Sequence, residues 1–148
     1  MNAVDHTHFM DVAYEEALQG YNEGGVPVGS VLVRGGEVIG RGRNRRQQQG
    51  DPILHGEMDC LKNAGRQSSY ADTQIYTTLS PCPMCTGAIL LFKIPTVVVG
   101  ENETFMGEEG LLRARGVQVI VLNDERCIAL MSKFVEEKPE LWNEDIAV

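Results

Sequence analysis

The sequence predicts a three-layer α/β/α domain spanning residues 1–148 and built on a five-stranded mixed sheet. A chain of 148 residues has the size of one domain around a single core, and its 43% hydrophobic and 23% charged residues match an ordinary globular protein. Five short runs rich in Val and Ile are separated, after the first pair, by segments of helical length, the alternation that builds α/β folds. Between the first two runs stands Gly35-Gly36, a dipeptide that accepts the positive φ of a tight hairpin turn.

Taken in order, Phe9, Ala13, Ala17 and Tyr21 recur every fourth residue, Met10 and Leu18 widen the stripe, and Gly24-Gly25 follows. That spacing predicts a helix over residues 8–23. Residues 28–34 and 37–43 flank the glycine pair as antiparallel strands. Asp51-Pro52 offers a capping oxygen and a φ-locked proline ahead of a second helix over 53–64, closed by Gly65. Residues 73–78 read as a strand, and Ser80-Pro81 repeats the capping device before a third helix over 82–92. Residues 96–100 and 117–122 are short apolar strands, each reached through a stretch long enough for a helical crossover, so the last three strands pair in parallel. A helix over 125–137 follows, and 139–148 is left as a tail with a short helical turn at most. Gln47-Gln48-Gln49-Gly50 marks a polar loop.

Charge and composition bound the function. Thirteen Lys and Arg against twenty-one Asp and Glu give a net charge of −8, which repels a phosphate backbone and makes nucleic acid a poor partner. The basic cluster Arg41, Arg43, Arg45 and Arg46 reads as solvated charge on a strand end and loop, with local phosphate contact left open. No apolar run approaches the roughly 18 residues that cross a bilayer. The first five residues lack the basic patch and apolar stretch of a signal peptide, and the four cysteines include a close C-x-x-C pair. A cytoplasmic protein without membrane contact is expected.

Chemistry concentrates in His55-Gly56-Glu57 and Pro81-Cys82-Pro83-Met84-Cys85. Cys82 and Cys85 stand three apart at a helix start, so both sulfurs share one face, where unpaired N–H groups favour thiolate. His55 opens a helix in the same way. Two thiolates and one imidazole make a three-ligand zinc site whose fourth position stays open to water, as in catalytic sites. A C-x-x-C pair alone serves equally as a redox pair or a structural ligand, and a closed zinc knuckle or zinc-stabilised binding module is the competing reading. A fourth ligand is hard to find: Cys60 lies more than one helical turn beyond His55 and Cys127 falls in a remote helix, so both read as buried core. His6 and His8 read as exposed tail residues. Glu57, two residues after His55, can hang beside the metal without ligating it and carry protons.

H-x-E followed by P-C-x-x-C is the signature of zinc-dependent nucleobase deaminases. With it, and with Glu23-Gly24-Gly25-Val26-Pro27, Thr86-Gly87-Ala88-Ile89, Val98-Val99-Gly100-Glu101-Asn102 and Glu144-Asp145-Ile146, the chain resembles the cytidine deaminase-like superfamily. Within it the likeness is to the fungal-type cytosine deaminases that act on the free base. The resemblance implies a cytidine deaminase-like fold, zinc held by His55, Cys82 and Cys85, and Glu57 as catalytic proton shuttle. It further implies that Asn44 reads the pyrimidine carbonyl edge, that Phe105 and Trp142 wall the ring, and that Asp145 accepts the N1–H. The Gly56 N–H and the Ser80 carbonyl are implied to touch substrate, and a homodimer is implied. The reaction expected is hydrolysis of cytosine to uracil and ammonia, a step of pyrimidine salvage. Other amino-heterocycles (isocytosine, a substituted cytosine, guanine) share this chemistry, and tRNA adenosine deamination is the nucleic-acid alternative. Three features depart from the fungal pattern: Arg43 stands where a histidine is usual, Pro83 where an acidic residue is, and Asp59-Cys60 where a small hydroxylic pair is.

Overall fold

The computed structural model describes residues 5–148; the reading of the chain's start as no signal peptide rests largely on residues 1–4, outside that range. The elements run α1 (His6–Asn22), β1 (Gly29–Arg34), β2 (Glu37–Arg43), α2 (Arg46–Gln49), α3 (Gly56–Ala64) and β3 (Thr73–Leu79). They continue with α4 (Pro83–Phe92), β4 (Thr96–Glu101), α5 (Glu109–Ala114), β5 (Gln118–Val121), α6 (Glu125–Glu137) and α7 (Pro139–Asp145). The five strands form one sheet in the order β2-β1-β3-β4-β5. β2 and β3 flank β1 antiparallel, and β3, β4 and β5 run parallel as expected.

Side chains alternate across the sheet with the two-residue period of a strand. Leu32, Ile75, Val97 and Val99 face one layer, where they meet Cys60 and Leu61 of α3, Ile89 of α4 and Leu112 of α5. Val31, Val33, Tyr76 and Val98 face the other, against Phe9, Met10 and Ala13 of α1 and Cys127 of α6. A third cluster of Val26, Val28, Leu79, Met131, Phe134 and Trp142 ties α6 and α7 to one end of the sheet. Cys60 and Cys127 are buried free thiols, as their sequence positions imply.

Close approach of α3 to β2 fixes that end of the sheet. Gly40 and Gly42 share one face of β2; a Cβ on Gly42 would stand 2.4 Å from the Cys60 backbone nitrogen, and one on Gly40 2.6 Å from Ala64 Cβ. Only hydrogen fits at either position, so the helix lies directly on the strand.

Five local readings are revised. α1 starts two residues early because the Asp5 carboxylate accepts the His8 N–H at 3.3 Å, which puts His6 and His8 in the helix. His6 Nδ1 pairs with the Tyr76 hydroxyl at 2.7 Å. Asp51 closes a turn through the Ile53 N–H at 3.0 Å, so it caps no helix, and His55 itself takes the N-cap of α3 with extended backbone. Cys82 does the same for α4, with Pro83 as the first helical residue. The polar stretch after β2 coils into the single turn α2, and the tail is the two-turn helix α7, anchored by the buried Trp142.

Gly42→Ala is expected to lose about 2 kcal/mol or more by overpacking, lowering the thermal transition by roughly 5 °C for a domain of this size. Calorimetry on the zinc-loaded protein checks this.

Candidate active site

α3 and α4 begin side by side where β3 and β4 end, the position at which open parallel sheets place their binding crevice. Neither helix start carries a side-chain cap, so the first-turn N–H groups are open to a ligand or a thiolate. His55 Nδ1 lies 3.4 Å from Cys82 Sγ, and the donor atoms of His55, Cys82 and Cys85 all lie within 4.8 Å of one another. A tetrahedral zinc with sulfur at about 2.3 Å and nitrogen at about 2.0 Å holds such donors roughly 3.5 Å apart, so the set fits that ion. Among the described residues this is the one His, Cys and carboxylate cluster placed to share a metal. The far ring nitrogen, His55 Nε2, faces Asp145 Oδ1 at 3.6 Å, an arrangement that fixes which nitrogen points at the sulfurs.

The electrostatics of the cluster are those of a site ready to exchange protons for a cation. A hydrogen bond from the Cys85 thiol, with further help from His55, pulls Cys82 down to about 4 despite burial. Cys85 holds its proton well above the usual thiol range because it donates to Cys82 and is buried. Burial works against a charged His55, but the Cys82 thiolate and the charges of Asp145 and Glu57 outweigh it and raise the imidazole to about 9. Glu57 is pushed up to about 7 by burial first and by the Cys82 charge second.

All the sequence-predicted site residues except the fully buried Cys85 line one pocket: Asn44, His55, Gly56, Glu57, Ser80, Cys82, Phe105, Trp142 and Asp145. Asn44 is held three ways. Its N–H bonds to the Val28 carbonyl at 2.9 Å, its Oδ1 accepts the Arg46 N–H at 3.0 Å, and its Nδ2 donates to Asp145 Oδ1 at 2.9 Å. Ser80 donates its hydroxyl to the buried Glu109 at 2.6 Å and accepts the Gly107 N–H at 2.9 Å. The loop after β4 folds on the Glu101 carboxylate, which accepts the Glu103 and Thr104 N–H groups, and this brings Phe105 edge-on to Trp142 at 5.8 Å between ring centres. Burial raises the Asp145 carboxyl above the ordinary range, with His55, Asn44 and Arg46 opposing.

Val28, Leu79 and Ile146 complete the wall. They went unread because apolar residues at strand ends and in a tail look the same in a sequence whether they face a core or a pocket. The basic cluster is corrected: its arginines are paired with carboxylates. Arg41 bonds Glu16, Arg43 bonds Glu16 and Glu23, Arg45 bonds Asp59 and Arg46 bonds Glu144. Acidic side chains of α1, α3 and α7 meet the strand end, which the sequence order alone does not show.

Residues 3–101 match the family described as the cytidine and deoxycytidylate deaminase zinc-binding region. The chain belongs to that deaminase family. It is 54% identical over 140 residues to a cytosine deaminase of Candida albicans, covering 93% of each chain. To a tRNA-specific adenosine deaminase of Streptococcus pyogenes serotype M18 it is 36% identical over 126 residues, covering 82% of this chain and 75% of the relative. The structure of a guanine deaminase from Bacillus subtilis superposes with a TM-score of 0.62 at 28% identity, over 78% of this chain and 73% of that one. Membership in the deaminase family makes the chain a zinc-dependent aminohydrolase, with a His and two Cys placed to hold the ion.

Cys82→Ala and Cys85→Ala are each expected to deplete zinc and to lower stability, because metal bound only by the folded site stabilises it. Cys60→Ala and Cys127→Ala are expected to keep one zinc per chain. Metal analysis by mass spectrometry after dialysis separates the two pairs.

Proposed function

We propose that residues 1–148 form a single cytosine deaminase domain, hydrolysing the free base to uracil and ammonia. The observation that carries this reading is the buried Asn44–Asp145 pair, 2.9 Å apart on one wall of the pocket. Cytosine presents an N–H donor and a carbonyl acceptor on neighbouring ring atoms, N1 and C2. A carboxylate beside an amide N–H is complementary to that edge, and a nucleoside would press its sugar against the carboxylate instead. The 54% identity to the Candida cytosine deaminase supports the same substrate.

His55, Cys82 and Cys85 would hold the zinc. Bound there, zinc supplies Lewis acidity that brings the pKa of water towards neutrality. Glu57, buried in the same pocket, takes one proton from the attacking water and gives it to N3, then takes the second from the hydroxyl now on C4 and delivers it to the amino group, which leaves as ammonia while the C4 carbonyl forms. Asn44 donates to the C2 carbonyl and Asp145 accepts from N1–H. Gly56 N–H and the Ser80 carbonyl orient the reacting edge, while Phe105 and Trp142 close over the ring and exclude water.

The identity to a tRNA adenosine deaminase supports an RNA-editing alternative, but the arginines of the 41–46 stretch are already neutralised by carboxylates, and backbone contact needs free cationic side chains. Among the described residues no helix is long and apolar enough to cross a membrane. A cytoplasmic enzyme of pyrimidine salvage fits the reaction. A homodimer fits the surface, where Leu91 is 74% exposed, with Phe92, Met106 and Leu111 also open.

Glu57→Gln is expected to bind zinc and fold normally while losing about 100- to 10,000-fold in turnover, followed by ammonia release from cytosine. Asp145→Asn is expected to cut kcat/KM for cytosine more than tenfold and any cytidine activity far less, because cytidine has no N1–H; equal losses would remove the basis for a free-base substrate.

A further inference from the structure

We propose that Asp59 is a positioning residue for the base-reading amide of Asn44, an inference that rests on the reading of Asn44 given above. Asp59 belongs to α3, two residues beyond Glu57, and is buried with only 3% of its surface exposed. Its Oδ2 accepts from the Arg43 backbone N–H at 3.0 Å and from Arg45 Nε at 3.0 Å, with a longer bond of 3.5 Å from Asn63 Nδ2 of its own helix. Arg43 and Arg45 are the two chain neighbours of Asn44. One carboxylate oxygen therefore grips the backbone on one side of Asn44 and the side chain on the other.

The remaining bonds show why that grip acts on the amide and not on the fold at large. Asn44 Oδ1 is occupied by the Arg46 N–H at 3.0 Å, which turns the donor end of the amide towards Asp145 and the pocket. The orientation depends on the path of residues 43–46, and that path is set on the α3 side by Asp59. On the α1 side the Arg43 guanidinium bonds Glu16 at 2.8 Å and Glu23 at 2.9 Å. The Arg43 side chain thus holds the α1 side while its backbone N–H is held by Asp59.

The clamp couples substrate recognition to α3, whose N-cap is His55 and whose first turn carries Glu57. Asn44 meets the C2 carbonyl, remote from the reacting C4, so its contribution is to binding in ground and transition states alike. Loss of the clamp should appear in KM more than in kcat. A purely structural aspartate would instead lower the thermal transition or the active, zinc-loaded fraction, reducing kcat at constant KM.

The experiment is a double-mutant cycle on zinc-loaded protein with cytosine as substrate. Asp59→Asn, which keeps shape but loses the charge that holds Arg45, is expected to raise KM about tenfold with kcat within about threefold of wild type. In an Asn44→Ala background the same substitution is expected to change kcat/KM by less than about twofold, since the residue it acts through is gone. If Asn44→Ala alone leaves kcat/KM within about twofold, the base-reading role of Asn44 falls and the proposal with it. If Asn44→Ala is costly but the two substitutions simply add, Asp59 does not act through Asn44 and the proposal alone is overturned. Should Asp59→Asn lose its zinc or its cooperative transition, the cycle is run with Arg45→Gln on the partially exposed partner. Coupling of Arg45→Gln to Asn44→Ala supports the clamp, and additivity overturns it.

Discussion

The site depends on one geometric constraint: two helices must begin against each other at the end of the parallel strands, each with a metal donor at its N-cap. A side chain at an N-cap projects beyond the helix start, and the extended backbone of His55 and Cys82 aims imidazole and sulfur into the same gap. Cys85, one turn into α4, adds the second sulfur from behind. Displacing either helix by the width of a methyl group would separate donors that an ion must hold roughly 3.5 Å apart. The tight seat of α3 on Gly40 and Gly42 and the burial of Ile89 from α4 are therefore conditions for chemistry as much as for stability.

Around that centre the protein buries Glu16, Glu57, Asp59, Glu101 and Glu109, and all but Glu57 are held by hydrogen-bond or ionic partners. Glu16 and Asp59 are met by arginines, Glu101 by backbone N–H groups, and Glu109 by Ser80 and Asn102. For the buried Arg43–Glu16 ion pair, removing one member leaves an uncompensated charge, at a cost of about 3–5 kcal/mol. The pairs tether the segments that form the pocket: the β2 exit carrying Asn44, and the loop carrying Phe105. Glu57 is the exception among these acids, because it lies among the metal donors, where burial first and the Cys82 charge second raise its carboxyl above the ordinary range.

Closure of the pocket is the work of the chain's last helix. α7 inserts Trp142 into the cluster formed by Val26, Val28, Leu79, Met131 and Phe134, and Arg46 reaches Glu144 across the mouth. Asp145, one residue further on, is thereby carried to Asn44 and to the outer nitrogen of His55. One short helix thus brings both Trp142 and Asp145 to the pocket, the latter facing His55.

By itself the sequence determined the layers, the β1–β2 hairpin, the parallel sense of the last three strands and the metal chemistry, because these follow from local information; the antiparallel pairing of β1 with β3 that joins the two halves of the sheet came from the tertiary structure. Apolar periods of two and about 3.6 mark strands and helices, Gly35-Gly36 marks the hairpin, and His55, Glu57, Cys82 and Cys85 declare their chemistry through side-chain type and short spacing. It also showed Cys60 and Cys127 as core, since neither lies within reach of the other donors. Tertiary structure alone decided that Asp51 closes a turn and His55 takes the cap, because Asp51 and His55 are both compatible with the local pattern and only the seat of α3 on β2 chooses between them. It decided that Pro139–Asp145 is a packed helix, since two turns of helix are unstable without the apolar cluster that receives Trp142. And it decided the fate of the arginines at 41–46, which looked solvated in a linear reading and are paired with carboxylates up to about a hundred positions away, at distances in sequence over which no local pattern carries information.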